Sequence, residues 1–284
     1  MSRVLVTGAS GFIGRHLVPR LRAEGHEVFE AHRASGDIAE EATWKRMPVA
    51  DVVVHLAAQS FVPDSWETPG SFVTTNLLGT VGAIEYCRAH DAHLVFPSSY
   101  LYGDAARQPI GEDTPLVAAN PYALSKKLAE EACEFFATRF GVTITVLRPF
   151  NIYGPGQSDA FLVPTVVNQL KSGKEICVRD LEPRRDYVYV LDVVDAMVAA
   201  IVCKRGLGIF NIGSGTSHSV AELIQVIQDV WGTRLPVRSN GVRRTNEIMD
   251  AVADITRAEQ QLSWMPRFTL RRGIEHLHAT ACGS

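Results

Sequence analysis

Short aliphatic runs alternate with stretches of helical spacing along the first half of the chain, beginning with Arg3-Val4-Leu5-Val6, which predicts a strand. Glycines follow at once. Over residues 12–23, Phe12, Ile13, Leu17 and Leu21 fall on one side of a helix. Further strands are predicted at Glu27-Val28-Phe29-Glu30-Ala31, Asp51-Val52-Val53-Val54-His55-Leu56, His93-Leu94-Val95-Phe96 and Thr143-Ile144-Thr145-Val146-Leu147. Helix-like periodicity covers 71–89, and a longer amphipathic segment covers 122–140. Continuous apolar strands separated by helices imply a parallel sheet covered on both faces. The predicted fold class is α/β, a doubly wound parallel sheet of the Rossmann kind, over residues 1–150.

From Asn151 onward the pattern changes to Gly154-Pro155-Gly156, short mixed segments and an arginine pair at Arg184 and Arg185. A smaller α/β lobe is expected over 151–185 and 213–284. Residues 187–204 read as a helix and Ile209-Phe210-Asn211-Ile212 as a strand, so 186–212 is expected to return to the first domain.

Composition narrows the function classes. With 284 residues, 46% of them hydrophobic, the chain can bury a sizeable core, and a formal net charge of -3 supplies no basic field to attract nucleic acid or anionic membrane. Phosphate binding must then be local. The five cysteines are odd in number and widely spaced with no C-x-x-C pair, so neither a disulfide framework nor a metal site is indicated. A reducing cytoplasm suits them. No signal peptide or membrane-spanning stretch is expected, because the first strand and glycine loop begin at once and no apolar run is long enough.

The glycine loop carries the first candidate chemistry. Gly8, Gly11 and Gly14 have the spacing G-x-x-G-x-x-G between a strand and a helix, which suits a turn out of the strand, close backbone approach to a diphosphate and tight helix packing. Ser10, Phe12 and Ile13 lie in the same loop, whose helix N-terminus offers free N–H groups to the pyrophosphate. At the end of the second strand His32-Arg33 follows Glu30-Ala31, and an arginine there suits the 2′-phosphate of NADP, whereas Glu30 in a shifted register would suit NAD. Asp37, Ile38, Leu56, Ala57 and Ala58 are placed by location near the adenine, ribose or phosphates. Farther on, Tyr122 and Lys126 stand four residues apart on a predicted helix, so the ammonium can lie by the phenol, lower its pKa and reach a cofactor ribose. A hydroxyl from Ser98 or Ser99 can orient a substrate oxygen beside them.

With these motifs in place the chain resembles an extended short-chain dehydrogenase/reductase of the NAD-dependent epimerase/dehydratase family, which acts mainly on nucleotide-activated sugars. The resemblance spans nearly the whole chain: Thr7 to Gly14, His55-Leu56-Ala57-Ala58, Asn76 in Thr75-Asn76-Leu77-Leu78-Gly79, Ser98-Ser99-Tyr100-Leu101-Tyr102-Gly103, Tyr122 to Lys126, Arg148-Pro149-Phe150-Asn151-Ile152-Tyr153-Gly154-Pro155-Gly156, Arg185-Asp186-Tyr187-Val188-Tyr189 and Arg244-Thr245-Asn246-Glu247. It implies Ser98 as the catalytic hydroxyl with Ser99 as fallback, Tyr122 and Lys126 as the proton-handling pair, and Asn76 and Phe150 among the cofactor contacts. It also implies Tyr100 at a substrate-facing position, and Asn151, Arg185 and Arg244 on the diphosphate of the substrate. Arg184 and Arg243 either assist or are solvated charges; Phe161, Ile176 and Val178 either line a nucleobase slot or belong to the small lobe's core. Dehydratases of the family carry Asp-Glu where this chain has Ser99-Tyr100, which argues against sugar 4,6-dehydration. The expectation is NADP-dependent reduction of a nucleoside-diphosphate 4-keto-6-deoxyhexose by a cytoplasmic homodimer. An NAD-retaining 4-epimerase and a non-catalytic dinucleotide-binding sensor are the alternatives.

Overall fold

The computed structural model describes residues 1–105, 107–203, 206–242 and 248–282. Its larger sheet is built from β1 (Arg3–Thr7), β2 (Glu27–Ala31), β3 (Val52–His55), β4 (His93–Pro97), β5 (Ile144–Pro149) and, after three short strands, β9 (Leu207–Ile212). These six strands are all parallel, in the order β2-β1-β3-β4-β5-β9. Helix α1 (Gly14–Ala23) connects β1 to β2, and α2 (Glu41–Trp44), α3 (Val62–Glu67), α4 (Pro69–Val73), α5 (Gly79–His90) and α6 (Pro121–Phe140) follow in the same half.

Alternate residues of one strand enter different cores, as a sheet covered on both sides requires. Val4 and Val6 pack with Leu17, Leu21, Val193 and Met197, while Leu5 packs with Val53, Ala83, Ile84 and Ala129. Because β1 lies between β2 and β3, its two crossovers leave in opposite directions and open a crevice above the carboxyl ends of β1 and β3. Doubly wound sheets bind ligands at such a switch point.

The smaller lobe pairs β6 (Asn151–Tyr153), β8 (Arg184–Tyr189) and β10 (Ser217–Ser219) in the order β10-β8-β6, with a separate parallel pair of β7 (Ile176–Val178) and β11 (Val237–Ser239). Around them lie α7 (Leu162–Ser172), α9 (Val220–Trp231) and α11 (Leu270–Cys282); α8 (Val190–Val202) and α10 (Thr256–Leu262) pack on the large sheet instead.

The structure departs from the sequence pattern in three places. Helix α1 starts at Gly14, since residues 8–13 form the glycine turn. The segment 71–89 is broken by a π-turn at Thr74–Leu78, so that Asn76 points into the protein with 1% exposure. Residues 187–189 belong to β8, with every residue from Asp186 to Tyr189 buried, and the helix begins only at Val190. The return to the large sheet therefore runs through α8 and β9. Among the described residues no helix is long and apolar enough to cross a membrane.

Candidate active site

A buried polar contact joins the ends of β1 and β3 beneath the crevice. Thr7 at the end of β1 is fully buried; its Oγ1 lies 2.9 Å from Nδ1 of His55 on β3 and accepts from the Ala57 N–H at 3.2 Å. Burial, with Lys126 nearby, pushes the His55 pKa down to about 3, so the imidazole is neutral. Gly8 follows at φ +67°, and a Cβ there would come within 2.7 Å of the Ala57 nitrogen. Only glycine allows both the turn and this approach. At Gly14 a Cβ would meet the carbonyl oxygen of Gly8 at 2.6 Å.

The start of α1 fits a pyrophosphate. Its N-cap, Ile13, supplies no side-chain cap, and the first turn carries no acidic residue; the Arg15 and His16 N–H groups donate to Gly11 O and Ile13 O, so the backbone that can meet an anion is that of Phe12, Ile13 and Gly14. Ser10 and Gly11 are exposed beside them. The side chains of Phe12 and Ile13 point elsewhere: Phe12 packs against the small lobe's core and Ile13 against the large one. Their expected cofactor contact thus reduces to backbone. Leu56 likewise packs on the core, while Ala57 and Ala58 run along the crevice.

At the end of β2, Glu30 is engaged. Its carboxylate takes a 2.7 Å ion pair from Arg22 of α1 and lies 3.5 Å from His32 Nε2. Arg33 opens a single 3-10 turn, exposed, with Ser35 Oγ accepting from the His32 N–H at 3.2 Å. Asp37 is exposed and accepts from the Ala39 N–H; Ile38 packs on Gly79, and its carbonyl accepts from the Trp44 indole.

Tyr122 and Lys126, the pair expected to handle the proton, stand on the first turns of helix α6. Asn120 caps it, accepting from the Ala123 N–H at 2.8 Å, and Pro121 supplies a preset first turn. Tyr122 is half-buried, edge-on to Phe72 at 6.5 Å, and burial raises its pKa against the lowering pull of a hydrogen bond with Ser99. The expected lowering by Lys126 is absent from this arrangement. The Lys126 ammonium instead donates to Pro97 O at 2.7 Å and sits 4.2 Å over the Phe96 ring. Burial brings its own pKa down to about 8, against the opposing pull of Glu130. The two serines divide: Ser99 pairs with the phenol, whereas Ser98, 6% exposed, has a buried Oγ without a hydrogen-bond partner. A buried hydroxyl left unsatisfied beside a crevice is the kind of group a ligand oxygen completes.

The residues expected to meet a substrate lie on and beside the next strands. The Tyr100 ring stacks on Phe150 at 4.7 Å, and its hydroxyl donates to Asn151 Oδ1 at 3.1 Å. Phe150 is 3% exposed between Tyr100 and Tyr102, so it backs the Tyr100 ring and has little surface to offer the expected cofactor. Asn151 Nδ2 donates to Asp186 O at 3.2 Å. Arg185 Nη1 donates to the carbonyls of Arg184 and Ile248, and Arg184 is drawn off to Ser217 and Glu222. Ile176 is fully buried and Val178 packs on the same core, while Phe161 meets Phe61 edge-on at 5.8 Å across the lobes. Arg243 and Arg244 lie outside the described residues.

Asn76 also requires a correction. Both of its amide hydrogens are committed, to Gln59 O and to Ser125 Oγ at 2.9 Å each, and its oxygen accepts from the Gln59 N–H. No amide donor remains for a cofactor.

Sequence reasoning missed a buried ionic framework beneath these groups. Arg148 of β5 and Glu130 of α6, 5% and 6% exposed, pair at 2.6 Å; Arg148 Nη1 also donates to Tyr102 Oη and Glu112 O. Tyr102 in turn donates to Asn211 of β9 at 2.6 Å, and Glu112 accepts from the Asn211 N–H at 2.8 Å. The signal was present in an arginine that ends an otherwise apolar strand and a glutamate one turn after Lys126. Asp186 was missed too. Fully buried, it accepts from the backbone of Ser214, Gly215 and Ala253, which fixes the loops beside Arg185, although burial raises its pKa.

A phosphate-accepting turn at the switch point, a phenol and a lysine on one helix, and an unpaired serine hydroxyl are thus brought to one crevice. The model of the NAD-dependent epimerase/dehydratase family matches residues 4–213. The chain belongs to this family. The family places it among NAD(P)-dependent enzymes of the short-chain dehydrogenase/reductase type. The GDP-6-deoxy-D-mannose reductase of Pseudomonas aeruginosa is 30% identical over an alignment that covers 96% of this chain and 94% of the reductase. A putative UDP-glucose 4-epimerase of Methanocaldococcus jannaschii is 32% identical, with 96% of each chain covered. In three dimensions, the structure of RMD from Pseudomonas aeruginosa complexed with NADPH superposes with a TM-score of 0.90 at 29% identity, covering 98% of each chain.

Proposed function

We propose that this family member is an NADPH-dependent reductase of the 4-keto group of a nucleoside-diphosphate 4-keto-6-deoxyhexose. The observation that carries the reading is the end of β2, where Arg22 and His32 engage Glu30 and Arg33 stands exposed. A carboxylate free to bind the ribose hydroxyls would favour NAD, and an exposed guanidinium favours the extra phosphate of NADP. NADPH is the dinucleotide spent in reductive synthesis, and a reductase must exchange it every turnover. The similarity to the Pseudomonas reductase supports the same choice.

In this reading the bound nicotinamide supplies a hydride, and the chain does the rest. Ser98 donates its unpaired hydroxyl to the ketone oxygen, and Tyr122 gives that oxygen its proton. The raised pKa of Tyr122 keeps the phenol protonated through the neutral range, which is the state a general acid needs. Lys126 holds a positive charge behind the site. Tyr100, Asn151, Arg185 and Arg244 bind the nucleotide sugar, with the arginine forks on its diphosphate. Ser99 and Tyr100 replace the carboxylate pair a dehydratase would use.

Mixing the protein with NADPH and a panel of nucleoside-diphosphate 4-keto-6-deoxyhexoses should consume reduced nicotinamide one for one with sugar. The similarity to 4-epimerases supports a second reading, in which tightly held NAD is reduced and reoxidised within one turnover. Interconversion of ordinary sugar nucleotides with no net consumption would decide for it. For the cofactor, Arg33→Ala is expected to weaken NADPH by roughly ten- to a hundredfold, the value of one charge-assisted contact, while NADH binding stays nearly constant. Titration of protein fluorescence measures both; equal losses, or tighter NADH in the unmodified protein, would remove the NADP assignment.

A further inference from the structure

Most of the buried tyrosine hydroxyls have an evident partner: Tyr86 donates to Pro48 O, Tyr102 to Asn211, Tyr153 to Leu270 O, and Tyr189 meets His276. Tyr187 is the exception. The residue is 5% exposed, and its Oη is buried with no hydrogen-bond partner among the described residues. A phenylalanine would fill the same space, whereas a hydroxyl taken out of water and left unpaired destabilises the fold. Its surroundings point to a ligand. Alternate residues of a strand share a face, so Arg185 of β8 lies on the side of Tyr187 and Tyr189, which pack in the small lobe's core, while Val188 turns to the large one. Tyr189 closes the inner end against Tyr153 and Phe268. Across the sheet Tyr187 is paired with Asn151, whose amide is turned to the Tyr100 hydroxyl and to Asp186 O and so does not serve the phenol. Burial pushes the Tyr187 pKa up, with Arg185 pulling it down and Tyr100 pushing it up, so both are within electrostatic reach and the phenol stays a protonated donor.

We infer that Tyr187 is a specificity-determining residue, its hydroxyl held at a cost in stability to donate to an acceptor oxygen of the nucleotide sugar between Arg185 and Tyr100. That acceptor is a β-phosphate oxygen or a hexose hydroxyl. The role rests on the proposed binding of a nucleoside-diphosphate sugar by Tyr100, Asn151 and Arg185.

Tyr187→Phe removes only the oxygen, and two quantities should move in opposite directions. The urea midpoint of the free protein should rise, because the unpaired group is gone. Affinity for the sugar nucleotide should fall by about tenfold, the value of one hydrogen bond to a ligand. The probes are UDP, GDP and dTDP, each compared with its monophosphate and with its glucose or mannose conjugate by calorimetric titration of the whole protein. Monophosphates should bind within about twofold of normal. A loss that begins at the diphosphate assigns the phosphate oxygen, and one confined to the conjugate assigns the hexose. With the keto sugar, KM should rise about tenfold while kcat changes less than about threefold, as for a contact made equally in the ground and transition states. Tyr187→Met, which also lacks the hydroxyl, serves for the binding arm if the phenylalanine variant does not fold. Conjugates bound within twofold of normal, an equal loss for the monophosphates, or a midpoint that falls overturns this role, the last because it would mean a hydroxyl already paired in the free protein. Unmodified protein that binds none of the probes overturns both this role and the reductase reading. A tenfold loss in the variant of a protein that consumes no NADPH with any keto sugar overturns the reductase reading and leaves Tyr187 in its role.

Discussion

Tyr122→Phe is expected to lower turnover of the keto sugar by about 10²–10⁴, the usual contribution of a positioned proton donor, with NADPH affinity nearly intact. The substitution removes one oxygen and keeps the ring, so the contact with Phe72 and the packing at the head of α6 survive. Steady-state rates with NADPH, together with a binding titration, separate the two quantities. Lys126→Ala should damage both rate and binding, because its ammonium lies buried against Pro97 and Phe96 under the crevice. Retention of most activity by Tyr122→Phe would move the proton donor elsewhere, with Tyr100 the next phenol along the rim.

The protonation state of this phenol is where structure changed the sequence argument most. A lysine four residues after a tyrosine on a helix shares its face, and the spacing alone suggests an ammonium beside the phenol. Sequence cannot weigh a competing acceptor from another strand. Pro97 O and the Phe96 face take the ammonium, so Ser99 remains as the phenol's hydrogen-bond partner and burial dominates its titration.

The large sheet was legible for a related reason. Four of its first five strands are short, largely apolar runs whose alternate residues enter different cores, β2 carrying Glu27 and Glu30 as well, and such runs mark themselves without tertiary information. Residues 187–189 misled because Tyr187, Tyr189 and the following valines are apolar enough for either element; pairing with β6 decides for strand. The π-turn at Asn76 is invisible in periodicity, since its cause is the distant Gln59 and Ser125. Among site residues, the glycine turn and the Tyr122–Lys126 pair carry fixed spacings and could be read. Arg148 and Asp186 stand inside motifs and Glu130 one turn after Lys126, but nothing in the sequence names their partners; only the fold brings Glu130 to Arg148 of β5, Arg148 to Tyr102 and Glu112, and Asp186 to the loop at 214–215.

Arg148→Met is expected to destabilise the protein by about 3–5 kcal/mol, because it strands the buried Glu130 carboxylate without its counter-charge. Arg148 supplies two donors to Glu130 and one branch to both Tyr102 and Glu112, so a single change also removes the side-chain link from β5 to Tyr102 in the loop at 98–103, while the Tyr102 bond to Asn211 of β9 remains. The pair itself is a different matter. Its Coulomb attraction is offset by the loss of hydration of two ions, and well-packed apolar replacements of buried pairs are often neutral or stabilising. The double variant Arg148→Met, Glu130→Met should therefore recover more than half of the loss, which a pair acting by attraction alone would not allow. Urea unfolding of the two variants and the unmodified protein measures this directly. A single variant within about 1 kcal/mol of the unmodified protein would mean that water or a rearranged side chain satisfies Glu130, in line with a surface pair rather than a buried one. If the double variant is stable but turns over slowly, the framework serves mainly to hold Tyr100, Ser98 and α6 in register, and its retention of two buried charges follows from positioning the site.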